Sequence, residues 1–379
     1  MSFESSAFSQ SLPCLILGGA GFSYQMHPNP ASLPISDIVK QAFDHGLRAI
    51  DTSPFYDPSE QLLGQALASP QITSRYARSD YILMTKVGRT GPETYDYSPT
   101  WVRKSVKSSL ERLGTSYLDV VFCHDIEAVT DQDVLDAVGE LFSLAQQGLV
   151  KWIGLSSYRI DLLSRRALLV RKKFGRPVDV VQNWGQLTLQ NARLESQGLK
   201  AFKNAGVSHV FSSSPLGIGL LRRGGVPQGK FGDFHPAPEG LRAVSRDLSS
   251  YMDAQGESLA SVALRYSVWR AQEAGRNHGI SVSTITGIST LDELAENVST
   301  VKKILQGNGL INPTLNLAQV EMDMPLFDKA HTILGDWVDW TFTIPAEGWD
   351  PELKCMAKQH AVSHTTAITI EPDGHKSFG

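Results

Sequence analysis

Short apolar runs and amphipathic stretches alternate along this chain eight times. The runs lie at 12–18, 47–51, 81–86, 117–123, 150–155, 178–181, 208–211 and 281–286. Helical spacing of apolar residues follows each run, at 36–45, 59–67, 98–113, 131–147, 159–173, 193–205, the pair 238–254 and 258–270, and 291–305. The runs are continuous rather than alternating, the pattern of parallel strands covered on both faces. Helix boundaries carry their own signals. Ser98 before Pro99 is an N-cap ahead of a first-turn proline, and Gly148 ends the stretch from 131 to 147. Eight such units predict an α/β fold, a (β/α)8 TIM barrel. A doubly wound open sheet is the alternative; no G-x-G-x-x-G opens the first helix to support it. The barrel is expected over residues 1–310. Residues 311–379, with Trp337, Trp340 and Trp349, are expected to form a C-terminal extension packed on it.

Composition narrows what such a barrel can do. The 379 residues are 41% hydrophobic and carry a net charge of −4, with charges mixed along the chain. The absence of a basic run gives nucleic-acid binding no support. Cys14, Cys123 and Cys355 are far apart and form no C-x-x-C or zinc spacing, so no metal is expected. The first residues have neither a basic nor an apolar region, and no apolar stretch is long enough to span a membrane. The expectation is a soluble, cytoplasmic protein with no membrane partner; the sequence leaves the oligomeric state open.

In a (β/α)8 barrel the strand C-termini converge on one mouth. Here they carry Asp51 and Tyr56 after strand two, Lys86 at the end of strand three, and His124, Asp125 and Glu127 after strand four. Ser156, Ser157 and Tyr158 follow strand five, Gln182, Asn183 and Trp184 strand six, Ser213 and Ser214 strand seven, and Ser289 and Thr290 strand eight. Alone, Asp51 reads as a capping acid, Lys86 as a solvated charge and His124 as a structural histidine. Together they form an acid–base set. A free tyrosine titrates near pH 10, about three units too high for proton exchange at neutral pH. A nearby lysine favours phenolate, an aspartate holds the lysine, and a histidine can orient a substrate oxygen. Such a set can move the proton that accompanies hydride transfer at a carbonyl carbon.

These residues resemble the aldo-keto reductase superfamily. Gly46 to Gly64 looks like the family's first signature, with Asp51 and Tyr56 on the catalytic acid and tyrosine. Thr85-Lys86 matches the catalytic lysine and His124-Asp125 the catalytic histidine. G-L-S-S at Gly154 to Ser157 resembles G-V-S-N, whose last two residues hold the nicotinamide carboxamide; Ser157 stands where Asn is usual. Gln182 matches the glutamine on that amide, and Ser214, Pro215, Leu216 and Gly217 the loop that crosses the pyrophosphate. Ser213 stands where many relatives carry a stacking aromatic. With H-D-I-E at His124 to Glu127 and G-R-T-G at Gly88 to Gly91, this looks like the sub-branch that contains plant L-galactose dehydrogenase and fungal D-arabinose 1-dehydrogenase.

The resemblance implies oxidation of C1 of a free sugar to an aldonolactone. It also implies that the adenosine ribose is read by the segment with Gly287, Ser289, Thr290, Glu293, Glu296 and Asn297. No basic residue lies between 287 and 297, and Glu293 falls where an NADP-preferring relative has a phosphate-binding Arg. A carboxylate repels a phosphate and accepts ribose hydroxyls, so NAD is expected over NADP. The other reading of Asp292 and Glu293 is that they favour a helix N-terminus. Arg222 and Arg223 are candidates for the pyrophosphate, or are solvated. Phe22, Tyr24, Phe55, Tyr95 and Trp184 are candidate pocket residues, or packing residues. Two alternatives stay open: a broad NADPH-dependent aldehyde reductase, and a non-catalytic nucleotide-binding subunit.

Overall fold

In a computed structural model of the protein, residues 11–229, 231–307 and 309–356 are described. Eight parallel strands close into a barrel. They are β1 (Leu15–Gly18), β2 (Ala49–Asp51), β3 (Ile82–Val87), β4 (Leu118–Cys123), β5 (Val150–Ser156), β6 (Val180–Trp184), β7 (His209–Ser213) and β8 (Ser281–Gly287). Each strand pairs with its sequence neighbours, and β1 closes the ring by pairing with β8 at Leu15↔Thr284 and with β2 at Gly18↔Asp51. The helices outside are α1 (Ile35–Asp44), α2 (Ser59–Leu67), α3 (Pro99–Leu113), α4 (Asp131–Gln146), α5 (Ile160–Phe174), α6 (Leu199–Ala205), α7 (Glu239–Ala254), α8 (Leu259–His278) and α9 (Leu291–Ile304).

Side chains alternate across each strand, so every second residue faces the barrel axis. Ile16, Ala49, Met84, Val120, Phe122, Val180, Phe211 and Ile285 fill that axis as one buried cluster. Phe122 and Phe211 meet edge to face with centroids 5.7 Å apart, worth about 1 kcal/mol beyond their burial. Gly154 makes room for them: a Cβ there would lie 2.4 Å from the Phe122 ring. The second, larger core lies between strands and helices, where Leu15, Leu17, Ile50, Leu83, Val121, Ile153 and Val181 meet the helix faces.

β5, β6 and β7 run further toward the mouth than their apolar runs, into polar residues. Ser156 belongs to β5, Gln182 and Trp184 to β6, and Ser213 to β7. Their backbones stay in the ladder, as in Ser156↔Gln182 and Trp184↔Ser213. Only their side chains are polar or amphipathic, which ends the apolar pattern before the strand ends. Helix α8 runs to His278, beyond the expected 270, because Ala271, Ala274 and Gly275 continue its buried face among polar neighbours. The segment expected as one helix over 193–205 begins with a wide π turn, Leu194–Gly198.

Past the barrel, α10 (Leu317–Leu334) packs on α7 and α8. Arg265 of α8, fully buried, holds Asp323 of α10 through two hydrogen bonds of 2.7 and 2.9 Å. The chain then crosses the strand ends. Asp339 accepts the Ala192 N–H at 2.7 Å, and Gln190 donates to the Trp340 carbonyl. Residues 357–379 of the expected extension lie outside the described residues. Among the described residues no helix is long and apolar enough to cross a membrane.

Candidate active site

The inward alternation that fills the core with apolar side chains delivers polar ones at the mouth. On β2, Ala49 is followed by Asp51; on β3, Met84 by Lys86; on β4, Phe122 by His124 just past the strand; on β6, Val180 by Gln182. Asp51, Lys86, His124 and Gln182 are each at least 95% buried. A buried ammonium needs a partner. Lys86 Nζ donates to both carboxylate oxygens of Asp51, at 3.0 and 2.8 Å, and to the Thr52 carbonyl at 3.0 Å. Burial disfavours its charge and is the largest single effect, but Asp51 through charge and hydrogen bond, with Tyr56 and Asp125, together outweigh it and the lysine pKa is raised.

Tyr56 lies in the turn between β2 and α2, with Lys86 Nζ over its ring at 4.9 Å from the centroid. The sequence suggested a lowered phenol pKa. The net shift is upward: burial is the larger effect, and the pull of Lys86 offsets only part of it. Lys86 spends its donors on Asp51 and Thr52, which reduces what it offers the phenol. Tyr56 is therefore protonated at neutral pH in the free protein.

His124 stands edge-on to Tyr56, centroids 5.8 Å apart. Burial lowers its pKa to about 3, so the ring is neutral. Its Nδ1 lies 3.3 Å from Ser53 Oγ, and its Nε2 3.7 Å from Asp125 Oδ1. Asp125 has a left-handed backbone, φ 56°, which turns its carboxylate back to the mouth. Arg89 donates to its Oδ2 at 2.6 Å and covers the Phe55 ring at 3.8 Å. Burial raises the Asp125 carboxyl, but the His124 ring when protonated, Arg89 with its hydrogen bond, and Lys86 together lower its pKa; at neutral pH, with His124 uncharged, the two cations hold the group ionised. Glu127, two residues on, accepts the Tyr158 N–H at 3.0 Å, and its Oε2 has no hydrogen-bond partner among the described residues. Burial and then Asp125 push its pKa up to about 7.

The profile of the aldo/keto reductase family matches residues 14–306. The chain belongs to the aldo/keto reductase family. This oxidoreductase is 37% identical over 287 residues to D-arabinose 1-dehydrogenase of Saccharomyces cerevisiae, covering 75% of this chain and 81% of that one. It is 35% identical over 281 residues to L-galactose dehydrogenase of Arabidopsis thaliana, covering 73% and 81%. Among solved structures it is similar in fold to a glycerol dehydrogenase of Gluconobacter oxydans, with a TM-score of 0.59 at 20% identity, covering 88% of this chain and 95% of that one. A holo aldo-keto reductase of Bacillus halodurans gives a TM-score of 0.55 at 22% identity, covering 83% and 91%.

The residues of this aldo/keto reductase fit the nicotinamide cofactor the family uses. Gln182 Oε1 is buried with no hydrogen-bond partner among the described residues, an acceptor ready for a carboxamide N–H. Gly287, inward on β8, has nothing within 4 Å of where a Cβ would sit, so the mouth is open there. Ser214, with φ 59°, turns the chain sharply after β7, and Pro215, Leu216 and Gly217 follow in a tight loop closed by Gly217 N–H to the Ser214 carbonyl at 2.9 Å. Ser156 faces the mouth beside Gln182, whereas the Ser157 hydroxyl accepts the Arg159 N–H at 2.9 Å.

At the other end, the Glu293 carboxylate accepts the Ser289 N–H at 2.7 Å and the Glu293 N–H goes to Thr290 Oγ1 at 3.1 Å. Glu293 thus does structural work at the start of α9 while remaining exposed. Glu296 accepts from Ser261 at 3.0 Å, and Asn297 is half-buried one turn on. Arg222 is exposed, and Arg223 Nε lies 3.5 Å from Asp253.

The pocket candidates separate. Phe22 is fully buried in the outer core and has no surface to give a substrate, a correction to its reading as a pocket residue. Phe55 sits under Arg89 and beside His124; Tyr95 meets Trp349 edge-on at 5.6 Å; Tyr24 is 52% exposed. Trp184 is covered by Tyr158 and Phe342, the latter from the extension and stacked at 6.5 Å. Sequence reasoning missed the roles of Ser53, Arg89 and Phe342. Ser53 had a signal: it lies two residues after Asp51, on the same inward face. Phe342 lies in a stretch with no periodicity to mark it.

Proposed function

We propose that this aldo/keto reductase oxidises C1 of a cyclic aldose of the D-arabinose or L-galactose type to its lactone, with NAD as hydride acceptor. The single observation that carries the sugar reading is Asp125 Oδ1. It is an ionised carboxylate oxygen with no hydrogen bond among the described residues, 3.7 Å from His124 Nε2 at the mouth. Two such atoms side by side suit two neighbouring oxygens of a polyol, which a plain aldehyde lacks. The likeness to the yeast and plant sugar dehydrogenases supports the same reading.

Gln182 with Ser156, the loop Ser214 to Gly217, and the segment from Gly287 to Asn297 would hold the nicotinamide cofactor, which supplies the hydride acceptor. His124 hydrogen-bonds O1 and fixes the C1–H direction. Tyr56, in its phenolate form, takes the O1 proton as the C1–H bond breaks and C1=O forms. Lys86 over the ring stabilises that phenolate, and Asp51 keeps Lys86 charged and still. The lack of any Lys or Arg from 287 to 297 supports NAD over NADP.

The protonated resting state of Tyr56 favours a second reading, reduction of an aldehyde with Tyr56 as acid. Initial rates with D-arabinose, L-galactose, L-fucose and L-xylose, each with NAD and NADP, are set against NADPH plus a simple aldehyde. The account expects sugar oxidation with NAD to dominate. Efficient aldehyde reduction by NADPH with no sugar oxidation would replace it with the second reading.

A further inference from the structure

His124 is neutral, so its ring carries one proton, and the reaction needs that proton on the nitrogen facing the substrate. We propose that Ser53 is a positioning residue that fixes His124 as the Nε2–H tautomer. Ser53 is 1% exposed, and its Oγ lies 3.3 Å from His124 Nδ1. The same Oγ accepts the Phe55 N–H at 3.1 Å. A hydroxyl carries one hydrogen to donate. Nδ1 is the one acceptor within hydrogen-bond reach of Ser53 Oγ among the described residues.

With the proton on Nδ1, the ring N–H would donate to Ser53 Oγ, and the hydroxyl hydrogen would have to turn away from the ring, where no acceptor stands among the described residues. The Ser53 hydrogen would then be left buried and unpaired, which is costly. With the proton on Nε2, Nδ1 is a free acceptor, Ser53 donates to it, and both groups at that contact are satisfied. The other side of the ring agrees. The Asp125 carboxylate, 3.7 Å from Nε2, attracts a hydrogen there. Lys86, Arg89 and Tyr56 also face this ring; the two cations disfavour a second proton, which keeps the choice between tautomers rather than charge states. The Tyr97 hydroxyl donates to the His124 carbonyl and pins the backbone, so the ring cannot relax by moving with it.

The inference deepens the function proposed above, because an Nε2–H donor is what O1 requires. Its test is separate, since the tautomer is read in the free protein without turnover. Long-range 1H–15N correlation spectra of the full chain labelled at histidine report which ring nitrogen is protonated, and a His124→Asn sample identifies the His124 signals. Wild type is expected to show Nε2 protonated and Nδ1 bare. Ser53→Ala is expected to move His124 to a mixture or to Nδ1–H, and to lower kcat on the order of tenfold, the size of one neutral hydrogen bond, with cofactor KM unchanged. Ser53→Thr, which keeps the hydroxyl, should restore both. A proton on Nδ1 in wild type, or an unchanged tautomer in Ser53→Ala, overturns the proposal. Absence of sugar oxidation would instead remove the functional reading and leave the tautomer result standing.

Discussion

Lys86 joins the stability of the mouth to its chemistry. It is 1% exposed, and three hydrogen bonds to Asp51 and Thr52 hold it. Lys86→Met would keep the volume and leave Asp51 buried without its cation. The expected cost is about 3–5 kcal/mol, read as a drop in the urea midpoint, together with loss of turnover. An unchanged midpoint would mean that the pair contributes nothing to the fold. Tyr56 gives a pH prediction. Its phenol pKa is raised, so the phenolate fraction grows as pH rises and is still growing above neutrality. Sugar oxidation should climb steadily from about pH 7 to about 10. A plateau near neutral pH would show that the base titrates far lower than this environment allows.

The loop after β4 carries a buried carboxyl whose surroundings oppose its charge. Glu127 binds its proton up to about pH 7 when folded, against an ordinary 4.5. The folded state thus holds more protons than the unfolded one between those values. Stability from this group is full below about 4.5 and is lost as pH rises through about 7. Glu127→Gln, which keeps the acceptor for Tyr158 N–H, should stabilise the protein at pH 8 by about 3 kcal/mol and leave it unchanged near pH 4. Equal denaturation midpoints at pH 8 would contradict that environment.

These loops also mark where the sequence stops being legible. Strand positions came from apolar runs, and the inward parity that buries Met84 and Phe122 also leads to Lys86 and His124. The register through Gln182 and Trp184 was hidden because polar side chains there still sit on a regular ladder. The net direction of the Tyr56 pKa was not legible either, since it depends on burial that only the closed mouth creates.

In the whole molecule, the barrel brings Asp51, Tyr56, Lys86 and His124 to one mouth, and the extension packs against one side of it. The buried Arg265–Asp323 pair anchors α10, and the chain beyond it brings Phe342 onto Tyr158 and Trp184. The tryptophans and apolar content of the extension suggested packing on the barrel, partly over its mouth; that Phe342 would cover Tyr158 and Trp184 was not legible. In the proposed reaction, hydride leaves C1 of an aldose while Tyr56 takes the proton from O1. D-arabinose deuterated at C1, incubated with NAD and the enzyme, tests it directly by the mass of the reduced cofactor and the rate at which it forms. The account predicts one deuterium in the reduced cofactor with wild type, and with Tyr56→Phe a rate lower by about 10²–10⁴ at unchanged NAD affinity. Reduced cofactor without deuterium, or Tyr56→Phe turning over at a near-wild-type rate, would contradict it.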